Sequence, residues 1–422
     1  MGKGELHERL RRMGVHRGMR QARSRPRRRG PAIEELLPGQ VTDTDHGAFF
    51  LYREEHQLDT RHGHHGLDDL LAHPPQNAAL LARDERLADV DFRRMAFIDT
   101  ETTGLAGGTG TYAFLVGVGV FEDDGFTIHQ FFMRDYDEEL AMLHALGELL
   151  DGLEAVVSFN GKSFDLPLLE TRFIMARQMP RLMDAPHLDL LPAARRFWKY
   201  RLDSCALSSL ETGILGVQRT QDDVPGWLIP SLYVDYARSG DAREMPGIFY
   251  HNAVDILSMV TLATRMCDLL SMPLPADADL PGEDLYGLAR LLHDLGQSDR
   301  AEAAFEQAAQ LSHGTPVREM AMRDLAYLLK RQERREEALP WWKELVENEA
   351  AVYACEELAK HYEWHDEDLS QAIAWTERGI TLVKVWTPGP KRRDTVVELD
   401  HRLERLNRKL SLSETPGDKE PG

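Results

Sequence analysis

Residues 95–104 read MAFIDTETTG. Met95, Ala96, Phe97 and Ile98 form a short apolar run that predicts a buried strand, and the run ends by presenting Asp99 and Glu101 ahead of a Thr-Thr-Gly turn. Residues i and i+2 of a strand face the same side, so the two carboxylates point together. Side by side they repel, and burying either alone is costly. A divalent cation resolves that conflict, and hard oxygen ligands suit Mg²⁺ or Mn²⁺.

An isolated Asp-x-Glu describes many solvated surface acids. Two later stretches add weight. Residues 155–165, AVVSFNGKSFD, read as an apolar strand, an Asn160-Gly161 turn, and Phe164-Asp165 opening a helix. Residues 249–262, FYHNAVDILSMVTL, read as an amphipathic helix carrying His251 and Asp255. Positions i and i+4 share a helical face, so a base and a carboxylate project together there.

Asp-x-Glu-Thr-Thr-Gly, then Asn-Gly-x-x-Phe-Asp, then a base shortly before a last Asp, resembles the four-acid (DEDD) 3′-5′ exonucleases of the ribonuclease H-like superfamily. The wording FIDTETTGL, SFNGKSFDLPLL and HNAVDILSM is most similar to the YprB-type ribonuclease H-like domain, over about residues 91–270. The resemblance implies that Asp99, Glu101, Asp165 and Asp255 hold two Mg²⁺ or Mn²⁺ ions, with Asp99 between them. The family places a Tyr four residues before the last Asp or a His five before it. Here His251 stands four before Asp255 and Tyr250 five before. Helical geometry favours His251 as the general base, imidazole being the side chain suited to that task, with Tyr250 as the alternative residue orienting the water.

With 422 residues the chain is long enough for two or three domains, and 42% apolar residues suffice for a normal core. Cys205, Cys267 and Cys355 are far apart and lack metal-type spacing, which suggests a reducing compartment. No apolar run approaches a membrane span and the N-terminus lacks a signal-peptide core, so a cytoplasmic protein without membrane contact is expected. The net charge of −20 argues against a generally basic nucleic-acid binder. Its distribution says more: residues 1–30 hold ten arginines and Lys3 against Glu5 and Glu8, so they carry +9 and the remainder −29.

In chain order, residues 1–30 read as a disordered basic arm. Its Arg-rich part, 9–29, is suited to phosphate contact, while a solubilising tail and a targeting sequence are the other readings of the composition. Residues 31–94 read as a lead-in segment with a strand at 47–52 and a helix at 67–81. His56, His62, His64 and His65 cluster there without the Cys or Glu partners of usual zinc sites. Residues 95–271 form the expected ribonuclease H-like exonuclease domain, an α/β fold with a mixed five-stranded sheet and flanking helices. Residues 104–110, GLAGGTG, lack the Gly-Lys-Ser/Thr of a P-loop and read as a flexible connection beside the site.

Thr102, Thr103, Asn160 and Lys162 are candidate substrate contacts, with turn and solvated-loop roles explaining them equally well. Residues 187–198 read as a helix entrance followed by a basic face, with Asp189 as its cap. Arg195 and Arg196, interleaved with Phe197, Trp198 and Tyr200, form a basic-aromatic patch that suits nucleic acid, although Trp198 equally suits a core.

Residues 272–282 are a Pro/Ala/Asp linker. Beyond it, 283–410 turn wholly helical: Leu288-Ala289 recurs as Leu325-Ala326 and again near Leu358-Ala359, and Phe305 recurs as Trp342. Separations of 37 and about 34 residues match tetratricopeptide-like helical repeats, closed by a helix at 395–410, with a disordered tail at 411–422. The whole implies a two-metal-ion exonuclease acting on single-stranded DNA or RNA, with a protein partner or self-association through the repeats. The alternative is a non-catalytic nucleic-acid-binding or protein–protein scaffold.

Overall fold

The computed structural model describes residues 30–104, 110–122, 124–220, 222–274 and 280–414. The basic arm, most of the Gly-rich loop, the middle of the linker and residues 415–422 lie outside the described residues. Among the described residues nine strands run in chain order: β1 Gln40–Thr44, β2 Gly47–Gln57, β3 Arg61–His62, β4 His65–Gly66, β5 Met95–Thr102, β6 Ala113–Phe121, β7 Gly125–Phe132, β8 Ala155–Ser158 and β9 His187–Asp189. β3 and β4 make a small hairpin; the others form a 7-stranded sheet in the order β1-β2-β7-β6-β5-β8-β9. Pairing is antiparallel from β1 to β5 and parallel from β5 through β8 to β9.

The expected five-stranded sheet is therefore corrected to seven. The strand at 47–52 extends to Gln57 and pairs with β7, so part of the lead-in segment is built into the sheet. β1, QVTDT, is a largely exposed edge strand with no apolar alternation to betray it. β9 is only three residues long, and residues 187–189, read as a helix entrance, are this strand instead. The helix expected at 67–81 is broken by Pro74-Pro75 into a 3₁₀ turn at Asp68–Ala72 and helix α1 at Gln76–Ala82.

The sheet is covered on both faces, and β5 shows why its sequence is so apolar. Ala96 and Ile98 enter one core, shared with helices α2 (Glu139–Leu150), α3 (Asp165–Met175) and the Tyr233 face of α5 (Ile229–Ser239). Met95 and Phe97 enter the other core, shared with α4 (Leu190–Trp198) and the long α6 (Met245–Ser271). Asp99 and Glu101 continue the Met95/Phe97 side of the strand and so face α6. Gly117 and Gly119 of β6 let that helix come close: a Cβ at Gly117 would lie 2.1 Å from Asn252 Oδ1, and one at Gly119 2.6 Å from Ile256 Cγ2.

The C-terminal region is all helical: α7 Gly282–Asp294, α8 Ser298–Leu311, α9 Pro316–Arg331, α10 Arg335–Glu349, α11 Val352–Trp364, α12 Leu369–Lys384 and α13 Pro390–Glu414. Each packs on the next, and α13 is longer than the expected 395–410 helix, taking in residues 411–414 of the expected tail. The core below the Met95/Phe97 side runs without interruption into this region through Trp198, Leu285 and Tyr286. At the junction Gly287 sits so close to α4 that a Cβ would lie 2.2 Å from the Phe197 carbonyl oxygen, and Arg201 pairs with buried Asp284 at 2.7 Å. No helix among the described residues is long and apolar enough to cross a membrane.

Gly117→Val should push α6 off β6 and destabilise the protein by about 1–3 kcal/mol, the usual cost of overpacking. Urea denaturation checks this, with Gly104→Ala, whose Cβ would meet nothing within 4 Å, expected to stay near wild type.

Candidate active site

The register Asp99↔Gly117 and Glu101↔Leu115 sets both β5 carboxylates at the end of the strand, just before the pairing slips between Glu101 and Thr102. The close approach at Gly117 delivers Asn252, whose Nδ2 donates to Asp99 Oδ2 at 2.8 Å and to the Asp99 carbonyl at 3.2 Å. Buried Gln130 holds the Asn252 Oδ1 at 2.8 Å, which fixes the amide's orientation. Asp165 is the first residue of α3 and nearly buried, and its Oδ1 accepts from Thr100 Oγ1. Asp255 lies one turn beyond His251 on α6.

These four acids feel one another. Burial, then Asp255 and Asp165, push the Asp99 carboxyl well above the usual range, with Asn252 opposing. Burial and the charges of Asp99, Asp255 and Asp165 do the same to Glu101. Burial raises Asp165 to about 6 against the Thr100 hydrogen bond. It also raises Asp255, where His251 and Arg219 oppose it. Such a set of hard oxygen donors, short of positive charge, fits divalent cations. Among the described residues no three His, Cys, Asp or Glu side chains close into a finished metal cage. Asp99 is turned to Asn252, Asp165 to Thr100 and Asp255 to Arg219.

Arg219, which the sequence reading passed over, organises the Asp255 side. Its guanidinium grips buried Glu211 in two parallel hydrogen bonds of 2.7 Å and donates to Asp255 Oδ1. Its Nη1 lies 3.1 Å from His251 Nδ1 and 3.5 Å from Asp223 Oδ1. Asp223 Oδ1 is 2.8 Å from the same His251 Nδ1, while His251 Nε2 is 3.8 Å from Asp255 Oδ2. A proton on Nδ1 donated to Asp223 leaves Nε2 as the free acceptor. Glu211 opens a π-helical turn, Glu211–Leu215, a conformation frequent at functional sites. It also accepts from Ser258 Oγ at 2.7 Å, which in turn meets His62 Nε2 at 2.8 Å. A lone Arg and an Asp pair in a 203–228 connection carry no periodic signal, and only the fold brings them to α6.

The remaining candidates divide. Thr102 Oγ1 donates to the Gly104 carbonyl at 2.9 Å, and Thr103 Oγ1 accepts from Tyr112 N at 3.0 Å, so both hydroxyls shape the hairpin. Asn160 adopts φ 68°, and its N–H donates to Asp189 Oδ1 at 2.8 Å. The Lys162 N–H donates to Asp189 Oδ2 at 3.2 Å, leaving its side chain exposed. Asp189 also accepts from Leu191 N at 3.1 Å, so it both caps α4 and holds the turn before Asp165.

Tyr250 OH accepts from Thr220 N at 3.0 Å and tethers the loop carrying Arg219. Arg195 is exposed, but Arg196 Nη1 donates to the Leu81 carbonyl at 3.2 Å. The basic-aromatic patch is corrected: Phe197 and Trp198 are fully buried because α4 packs against α7, α6 and α1, and Tyr200 packs on Tyr286. The histidines are not gathered either. His56 sits on β2 beside Glu54, His62 meets Ser258, and His65 lies between Asp69 and Asp268.

Residues 96–267 match the RNase H superfamily, which places the α/β body in that class of nuclease-like domains. The chain is also 30% identical over 371 residues, 86% of its length and 87% of the other's, to "Uncharacterized protein YprB" of Bacillus subtilis (strain 168). It belongs to the YprB family.

Two outcomes test this geometry. Arg219→Met leaves Glu211 buried without its counter-charge and should cost about 3–5 kcal/mol in chemical denaturation, much of it recovered by adding Glu211→Leu. The second concerns Asp165, whose folded-state pKa near 6 exceeds the ordinary carboxyl value near 4. In EDTA its ionisation therefore opposes folding increasingly as pH rises through 6. Asp165→Asn should then melt above wild type at pH 7.5, by on the order of 1–3 kcal/mol, with the advantage fading toward pH 4. Thermal melts across that range in EDTA check the sign.

Proposed function

We propose that this chain is a metal-dependent nuclease, a 3′-5′ exonuclease hydrolysing phosphodiester bonds of single-stranded DNA or RNA. The observation that supports it most is the gathering of Asp99, Glu101, Asp165 and Asp255 in one buried to half-buried set, in which Asp165 and Asp255 raise the carboxyls of Asp99 and Glu101, with His251 at its edge. The RNase H-superfamily match is consistent with a nucleic-acid substrate and with divalent-metal chemistry.

The four acids, Asp99, Glu101, Asp165 and Asp255, would hold two Mg²⁺ or Mn²⁺ ions. Bound cations supply a lowered pKa for the attacking water and charge stabilisation for the departing oxygen. The chain's own groups do the rest. His251 accepts a proton from the attacking water at Nε2, while Asp223 fixes the opposite nitrogen as the donor. Arg219, anchored by Glu211, orients Asp255 and offsets its charge. Asn252 orients Asp99, and Thr100 orients Asp165. Exposed Lys162 and Arg195 are available to phosphate, and the basic arm at 9–29 adds sequence-independent attraction.

In the same reading a nuclease domain at 95–271 and a tetratricopeptide-like region at 283–410 are joined by the linker at residues 272–282. Phe305 meets Tyr286 at 5.9 Å and Trp342 meets Tyr327 at 4.9 Å between ring centres, so the recurring aromatic of each pair's second helix packs on a tyrosine of its first, which supports a repeat serving a protein partner or self-association. Cys205, Cys267 and Cys355 are free thiols, consistent with a reducing cytoplasm.

End-labelled single-stranded DNA and RNA incubated with Mn²⁺, Mg²⁺ or EDTA test the activity. Cleavage should require the cation, shorten strands from the 3′ end, and fall by at least about 10³-fold in Asp99→Ala. Intact linear, branched and looped substrates that the protein nevertheless binds would leave the scaffold reading standing instead.

A further inference from the structure

Next in the chain to the glycine that lies against His251, the protein presents an aromatic ring that the fold does not use. Trp227 is 74% exposed, the most exposed of the large hydrophobic side chains near the site. A solitary exposed apolar residue ordinarily asks for no explanation. Trp227 differs in how it is held. It lies in a tight turn closed by Leu228 N donating to the Pro225 carbonyl at 2.8 Å, and Ile229 N to the Gly226 carbonyl at 3.3 Å. That turn runs directly into α5, whose Ile229 and Tyr233 are fully buried.

Upstream, Val224 packs against Gly247 of α6, and Asp223 is the partner of His251 Nδ1. Gly226 itself abuts the imidazole: a Cβ there would sit 3.7 Å from His251 Nε2, the nitrogen left free to take a proton. Trp227 thus directly follows the residue that abuts the general base, on a turn pinned on both sides. Among the described residues it has no aromatic or cation–π partner.

We propose that Trp227 is a stacking platform for the unpaired terminal nucleobase of the strand whose phosphodiester lies at His251. This deepens the nuclease reading and rests on it. Stacking tolerates any base, because every base has a π face, and it requires that the base be unpaired. The turn would thereby select single-stranded ends without reading sequence. It also gives an acidic surface a means of holding a polyanion by its bases, away from its phosphates.

The test is fluorescence anisotropy of 5′-labelled single-stranded oligonucleotides in Ca²⁺, using the full chain. Trp227→Ala should weaken binding about 5- to 100-fold, the range for loss of one base–aromatic stack, and Trp227→Phe should retain most of the affinity. An oligonucleotide with an abasic 3′-terminal nucleotide should bind wild type more weakly by a similar factor and show no further loss in Trp227→Ala. Equal affinity of wild type and Trp227→Ala, or the same loss on normal and abasic strands, overturns the platform while leaving the nuclease reading intact. Failure of wild type to bind any oligonucleotide overturns both. Because the side chain is exposed, unchanged melting of Trp227→Ala separates lost stacking from lost fold.

Discussion

Repulsion among buried carboxylates is the constraint around which this protein is built. Asp99 and Glu101 leave the same side of one strand, Asp165 starts a helix behind them, and Asp255 arrives from α6. Asp165 is buried and the other three are half-buried, so their charges are screened less than they would be on the open surface. The surrounding polar groups answer that cost one acid at a time, through Asn252, Thr100 and the Glu211-anchored Arg219. Two glycines on β6 exist at the points where α6 must come close enough for this arrangement to form.

The helix that delivers Asp255 also ties the site to the rest of the chain. Its first half lines the acid cluster, and its second half is buried in the core that continues into the C-terminal helices. Arg300 of α8 donates to the carbonyls of Leu270 and Met272 at the end of that helix. The helical region is therefore docked on the nuclease-like body through packing, with Gly287 permitting backbone-level contact at α4.

The parts legible in the sequence are those where chemistry and periodicity coincide. The apolar run into Asp99-Thr-Glu101, the Asn160-Gly161 turn and the His251–Asp255 helix each carry a local pattern, and each lies where that pattern puts it. What was not legible depends on distance along the chain. Arg219 reaches Glu211, Asp223 and Asp255 from a connection without regular structure, so no spacing announces it. β1 and β9 were missed because an exposed edge strand has no buried face and a three-residue strand has no period. The aromatics at 197 and 198 misled for the opposite reason. Next to arginines they imitate a stacking surface, but α4 is covered on both sides, and one basic residue beside them caps a carbonyl at Leu81.

Direct cation binding tests whether the acid cluster is a divalent-cation site, without reference to catalysis. Mn²⁺ titration followed by calorimetry and thermal melting should show saturable binding, with a melting temperature that climbs as free cation exceeds the dissociation constant. At a hundredfold excess over that constant the gain is about 2.7 kcal/mol. Glu101→Gln should weaken the binding and flatten the rise. A wild-type protein that neither binds Mn²⁺ nor gains stability from it, while melting as a folded domain, would contradict the account.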